Sequence, residues 1–476
     1  MTDINQPSAI RSGFTIGEHS SSRSLFGLRK SQIAGELASL ILGFVALLGL
    51  GSSDGILAFA VTAICSSFVF LVGYKRRTLD QLVLDAFAHL GEQLSHSSRE
   101  FRHDLFGFSS PPVAGSFVAS SHTWGSRRIS PSRKRRSRIA AVPGPRGSGL
   151  RNIWEKEIDD GAKIGIAREH SGKRSVVAFE LFGDGFLLRD PQDQNGSAAV
   201  FGTMLGSMSS LSKKMDSVAL IYLVDPERRA SMADETLGWA GEVRKLFDYV
   251  SGNATDRHCY LVVHMADSPF GEQDFSELTS FVAGLGLDSQ PLDGDSLGQL
   301  FAFGTGEGSG RGVLHVRSRW SHLLVGERLM KLFDVAEFPT GEVRPDFLVP
   351  FVTSLESKSL LSFRFKAIES HFALRKVRSR RSGITADAGI RALLGFLSRT
   401  SEARAISSLE VQENDLDMGY EMFAVSGFFA VFADSLYELK DAAESAMAKA
   451  EKSGLQLECA YGRQLQTRNL LFGRLG

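Results

Sequence analysis

Cysteine is scarce in this chain. There are three in 476 residues, Cys65, Cys259 and Cys459, and they lie far apart. That spacing excludes a disulfide framework and a cysteine-based metal site, and it fits a reducing compartment. Net charge is absent too: 54 Lys and Arg balance 54 Asp and Glu. No global attraction to a polyanion follows, so any such contact must be local. The signatures of phosphate chemistry are missing as well. Residues 304–312 read Gly-Thr-Gly-Glu-Gly-Ser-Gly-Arg-Gly. No frame in the chain supplies the Gly-Lys-Ser/Thr that grips nucleotide phosphates and magnesium, and the dinucleotide fingerprint fails because Arg311 stands where its third glycine belongs. The loop reads as flexible punctuation. Gly51-Ser-Ser-Asp-Gly55 has the letters of a nucleophile elbow, but it separates two apolar runs and not a strand and a helix. His258 and His264 share a strand face with no acidic or cysteine partner at metal-ligand spacing. No catalytic residue, cofactor site or metal site is read from the sequence, and an enzyme is not expected.

Long apolar runs, by contrast, are present. Ile33–Gly51 and Ile56–Tyr74 are two runs of 19 residues around the polar turn Ser52–Gly55. As helices each would rise about 28 Å, close to one hydrocarbon core. Arg23, Arg29 and Lys30 precede them, and Lys75, Arg76 and Arg77 follow. Positive flanks stay cytoplasmic, so the reading is a transmembrane hairpin over residues 31–77 with both termini in the cytoplasm, in a multi-pass protein of the cell membrane. The lipid bilayer is then a partner.

The rest divides by texture. Residues 1–30 are a polar tail. In 78–106, Val83, Phe87, Leu90 and Leu94 recur at helical spacing and predict an amphipathic helix. Residues 107–160 are a Ser/Pro/Gly-rich linker carrying Arg127, Arg128, Arg133, Lys134, Arg135, Arg136 and Arg138. Such a charge run resists compaction and is a candidate contact for anionic lipid or nucleic acid, or a solvated spacer. From 161 to 476 strands and helices alternate. Strands are expected at 176–182, 218–224, 259–264 and 422–433, with helices at 197–215 and 434–452 and a helical stretch over 355–400. The fold class expected is α+β: a transmembrane helical hairpin, then a cytoplasmic mixed α/β domain with ferredoxin-like strand–helix–strand units.

The order of these parts carries a resemblance. Leu25-Phe-Gly-Leu28, the apolar hairpin and Lys75-Arg-Arg77 look like a PrgI-like membrane part. Gly183-Asp-Gly185, the helix at 197–215, and Glu410 to Leu471-Phe-Gly-Arg-Leu-Gly476 look like the N-terminal half of the type IV secretion ATPases. The chain resembles the actinobacterial conjugation proteins that join the two. The resemblance implies a non-catalytic adaptor of a conjugative DNA-transfer apparatus. Its partners would be the ATPase motor and other channel subunits, with a homo-oligomer possible. The motor's phosphate loop has no counterpart here. Two other readings stay open: a tethered enzyme or ligand-binding protein with a site at the strand ends near Asp225 and Asp267, and a scaffold of another bacterial export machine.

Overall fold

The structure is a computed structural model. It describes, with short internal gaps, residues 150–226, 256–302, 313–393 and 400–472, and short stretches between residues 14 and 102. A 12-stranded antiparallel sheet organises it. The strands are β1 (Leu150–Glu157), β2 (Lys163–Glu169), β3 (Arg174–Phe182), β4 (Met215–Asp225), β5 (Asp256–Ala266), β6 (Asp288–Pro291), β7 (Val316–Ser318), β8 (Leu323–Val325), β9 (Arg328–Glu337), β10 (Ser359–Ile368), β11 (Met422–Ala433) and β12 (Gln456–Cys459). The helices are α1 (Pro191–Ser210), α2 (Glu272–Ala283), α3 (Gly294–Ala302), α4 (Val349–Thr353), α5 (Ser370–Leu393), α6 (Thr400–Asp417), α7 (Leu436–Lys452) and α8 (Gln464–Leu471).

The sheet order is β7-β8-β9-β11-β10-β4-β5-β3-β2-β1, with β6 beside β3 and β12 beside β9. It reads the same from either end. β3-α1-β4-β5-α2-β6 is a split β-α-β-β-α-β module, its strands ordered β6-β3-β5-β4. β9-α4-β10-β11-α7-β12 repeats it, ordered β12-β9-β11-β10. Each module is preceded by a hairpin (β1-β2, β7-β8) and followed by a short helix (α3, α8). The modules meet where β4 and β10 pair antiparallel, from Val218 opposite Phe365 to Val224 opposite Ser359. Antiparallel pairing of two equivalent strands is what a two-fold axis produces, so the chain is an internal pseudo-dimer. The sequence carries its trace. Gly286-Leu287, Gly294 and Leu297 recur as Gly454-Leu455, Gly462 and Leu465, all at one spacing. Gly286 and Gly454 both have positive φ, 64° and 75°, and each turns a helix into the fourth strand of its module.

Both faces of the sheet are covered, which explains strands that are apolar nearly throughout. On one face α1 and α2 lie over the first module, burying Val177, Phe179, Met208 and Val282. On the same face α4 and α7 lie over the second, burying Phe333, Phe351, Phe429 and Ala446. The opposite face has a single core that spans the seam, from Val176 and Ile221 to Leu360 and Phe432, under α3 and α8. Between β10 and β11 the second module inserts α5 and α6, which pack on each other through Ala373, Val377, Leu409 and Leu416.

Several expectations are corrected. Among the described residues no helix is long and apolar enough to cross a membrane. This overturns the transmembrane hairpin of residues 31–77, the multi-pass membrane localisation with cytoplasmic termini, and the fold class that began with that hairpin. What is observed is a mixed α/β fold on a large antiparallel sheet. The physical reason is that the length and apolarity of a run do not by themselves make a span, which needs an unbroken apolar helix of about 20 residues. The described helical residues of the two runs pack on one another: a Cβ added to Gly43 would stand 3.0 Å from the ring of Phe59. The linker also ends earlier than expected, because Leu150–Glu157 is a strand of the sheet. Within the stretch read as helical, Ser359–Ile368 is a strand.

Candidate functional site at the seam and the second notch

The seam is charge-coded. β4 carries a carboxylate near each end, Asp216 and Asp225, and β10 with the residue before it carries the cations. Lys358 Nζ lies 3.1 Å from Asp225 Oδ2, with both side chains largely buried. At the other end Lys366 Nζ and Arg364 Nη2 each reach Asp216 at 3.4 Å, and Arg174 Nη2 reaches it at 3.8 Å. Arg364 Nε also donates to Ser217 Oγ at 3.0 Å. Apart from Arg174–Asp216, which lies within the first module, these pairs join the two modules and hold the two edges in one register.

A shallow hollow lies beside the Asp225 end. It is about 190 Å³, lined by Pro226, Arg328, Lys358, Asp434 and Glu438 among others. Small-molecule sites run to roughly 300–1,000 Å³. Arg328 Nε is taken by Asp434 at 3.1 Å, and Asp225 by Lys358. The strand-end site expected near Asp225 is therefore a small hollow in which Arg328 and Lys358 are already paired with carboxylates. Asp267 lies outside the described residues. So do Arg127, Arg128, Arg133, Lys134, Arg135, Arg136 and Arg138, and the glycine loop apart from its flanks. Among the described residues no group of three or more His, Cys, Asp or Glu is placed to hold a metal ion.

No family model matches the chain, and no curated protein matches it.

The histidines expected to share a strand face do sit on β5, and the structure separates their roles. His258 Nδ1 lies 2.7 Å from Glu180 Oε1 on β3. His264 is buried and its Nε2 lies 3.1 Å from the carbonyl oxygen of Phe472, just past α8. They tie strand to strand and strand to helix. Near them α3 and α8 meet across the pseudo-two-fold axis. Phe301 and Phe472 pack edge to face at 5.4 Å, and Arg468 Nη2 donates to the Phe301 carbonyl at 3.5 Å.

A second constellation escaped sequence reasoning because its parts are far apart in the chain. Helical residues around 85–90 seat in a notch of the second module. Asp85 Oδ1 lies 3.3 Å from Arg463 Nε, whose Nη2 reaches Asp334 at 3.0 Å. His89 meets the Trp320 ring edge-on at 5.8 Å, and Trp320 stacks on Tyr461. Burial holds the His89 imidazole below its ordinary pKa. Gly462 makes the seat possible: a Cβ there would lie 2.7 Å from Trp320 and 2.8 Å from the Asp85 carbonyl. The signal in the sequence was the glycine recurring at the start of each terminal helix.

Proposed function

We propose that the chain is a non-catalytic adaptor: a two-module scaffold that docks the ATPase motor of a conjugative DNA-transfer or related secretion apparatus. The resemblance of Gly183-Asp-Gly185, the helix that follows it and the segment from Glu410 to Gly476 to the N-terminal half of the type IV secretion ATPases supplies the apparatus. The observation that carries the adaptor reading is the seam. Two like modules are fused edge to edge, and the charges along the joint pair with each other, which builds a rigid platform and not a pocket. The helical pair α5–α6 adds contact surface, with Phe372, Met418 and Tyr420 exposed at its base. No membrane anchor belongs to this proposal.

The test is capture of the intact protein followed by identification of what is bound. Recovery of a RecA-type ATPase with other channel subunits, at stoichiometric yield, supports the adaptor. ATP hydrolysis by the purified chain alone, or no motor among the partners, sinks it.

A further inference from the structure

The internal repeat provides a control for the notch. In the first module the corresponding glycine is Gly294, and a Cβ there would lie 2.9 Å from Glu155 Cγ. Glu155 belongs to β1, the strand that leads into that module, and its Oε1 accepts from the Gly294 amide at 3.3 Å. That notch is closed from within. The second module's notch is lined by its own Trp320, Tyr461, Gly462 and Arg463, but the remaining cover is the helix around 85–90, which comes from outside both modules. The same seat is thus filled once by a built-in strand and once by a distant segment.

We infer that the second module's notch is a helix-docking site that opens, and that residues 85–90 are its strap, held in cis by Asp85 on Arg463 and by His89 against Trp320. The strap's other side chains fit this role. Phe87 and Leu90 point away from the seat and are exposed, at 68% and 53%. The strap therefore presents one face to the module and an apolar face outward. Arg463 keeps Asp334 as a partner when Asp85 leaves, so opening strands no buried cation. Release would uncover an aromatic pair beside an arginine, the residue types that favour a helix carrying an acidic side chain. The inference is independent of the adaptor reading.

The experiment uses the full chain with Trp124, Trp154 and Trp239 replaced by Phe, so that Trp320 alone emits. Asp85→Lys sets a cation against Arg463. Acrylamide quenching of Trp320 is expected to rise at least about twofold while the main thermal transition stays put, since local opening costs less than global unfolding. A peptide spanning residues 78–98, added to this variant, is expected to restore protection. Unchanged quenching in Asp85→Lys overturns the strap. A lowered main transition overturns it equally, because the segment would then be part of the second module's core. Failure of the peptide to restore protection overturns the docking site.

Discussion

Arg468 is the residue least at home in its surroundings. It is 4% exposed, in the face between α8 and α3, and burial lowers its guanidinium pKa to about 10. It remains charged at neutral pH and leans on carbonyls such as that of Phe301. Arg468→Ala leaves both a void and an unmatched carbonyl, and should cost about 2–4 kcal/mol in a urea titration. Arg468→Met fills the space without a charge and should lose less than about 1.5 kcal/mol. Equal losses would show that the charge itself is needed. Two half-buried imidazoles set a pH limit. His89 and His322 are both held below 6.5 by burial, and Arg319 and Lys331 add to the effect at His322. Their folded pKa is the lower one, so the unfolded or undocked chain binds more protons. Stability is full above pH 6.5 and falls as pH drops below it. The group that faces His89 from the second module is the Trp320 ring. Asp295 and Glu421, raised by burial from 3.8 and 4.5, act in the opposite direction and only nearer those values. Thermal melts from pH 8 to pH 5.5 should show a flat region and then a decline, with a smaller decline in His322→Gln.

At the scale of the element, packing at one glycine limits β11. Gly427 faces Phe363 across the β10–β11 pair, and a Cβ would stand 2.6 Å from Val335. Gly427→Val should cost at least about 1–3 kcal/mol by overpacking, read as a lower denaturation midpoint. The corresponding position in the first module is Cys259, so the two cores solve the same packing differently. α7 shows what the sequence made legible. The helix expected at 434–452 is there, but it starts after a cap at Ser435, which accepts from the Glu438 amide at 3.2 Å, and Asp434 pairs with Arg328 instead of entering the helix. Ser435→Ala should cost about 1 kcal/mol. β11 was legible because it is apolar nearly throughout. β10 was missed although Phe363, Phe365 and Ala367 alternate with Arg364 and Lys366, a period of two. Its neighbours in sequence are helical, and its ten residues are short beside the 24-residue helix that follows. The membrane hairpin was misread for the opposite reason: length and apolarity were counted, and the packing of Gly43 on Phe59 cannot be counted that way.

For the whole molecule, the decisive feature was the duplication, and little of it was legible because only the turn glycines and a few leucines survive between the repeats. Edge pairing invites error in such a molecule: like modules could pair β4 with β4 or β10 with β10 of another chain. Charge works against this. A β4 pair would bring carboxylates toward carboxylates, and a β10 pair would bring lysines toward lysines, whereas the observed seam sets Asp225 against Lys358. Since that pair is largely buried, breaking it costs more than a surface bridge, about 3–5 kcal/mol. Cleavage within the glycine loop at 304–312 separates the modules covalently without touching the seam or either set of helices. The nicked chain should still elute as one species. Lys358→Asp should separate the halves, and adding Asp225→Lys should rejoin them, because the swapped pair restores the attraction. Recovery in the double variant but not in either single one would locate the specificity of the joint at this pair. Separation of the nicked but otherwise unaltered chain would mean that the loop, and not the seam, holds the modules together.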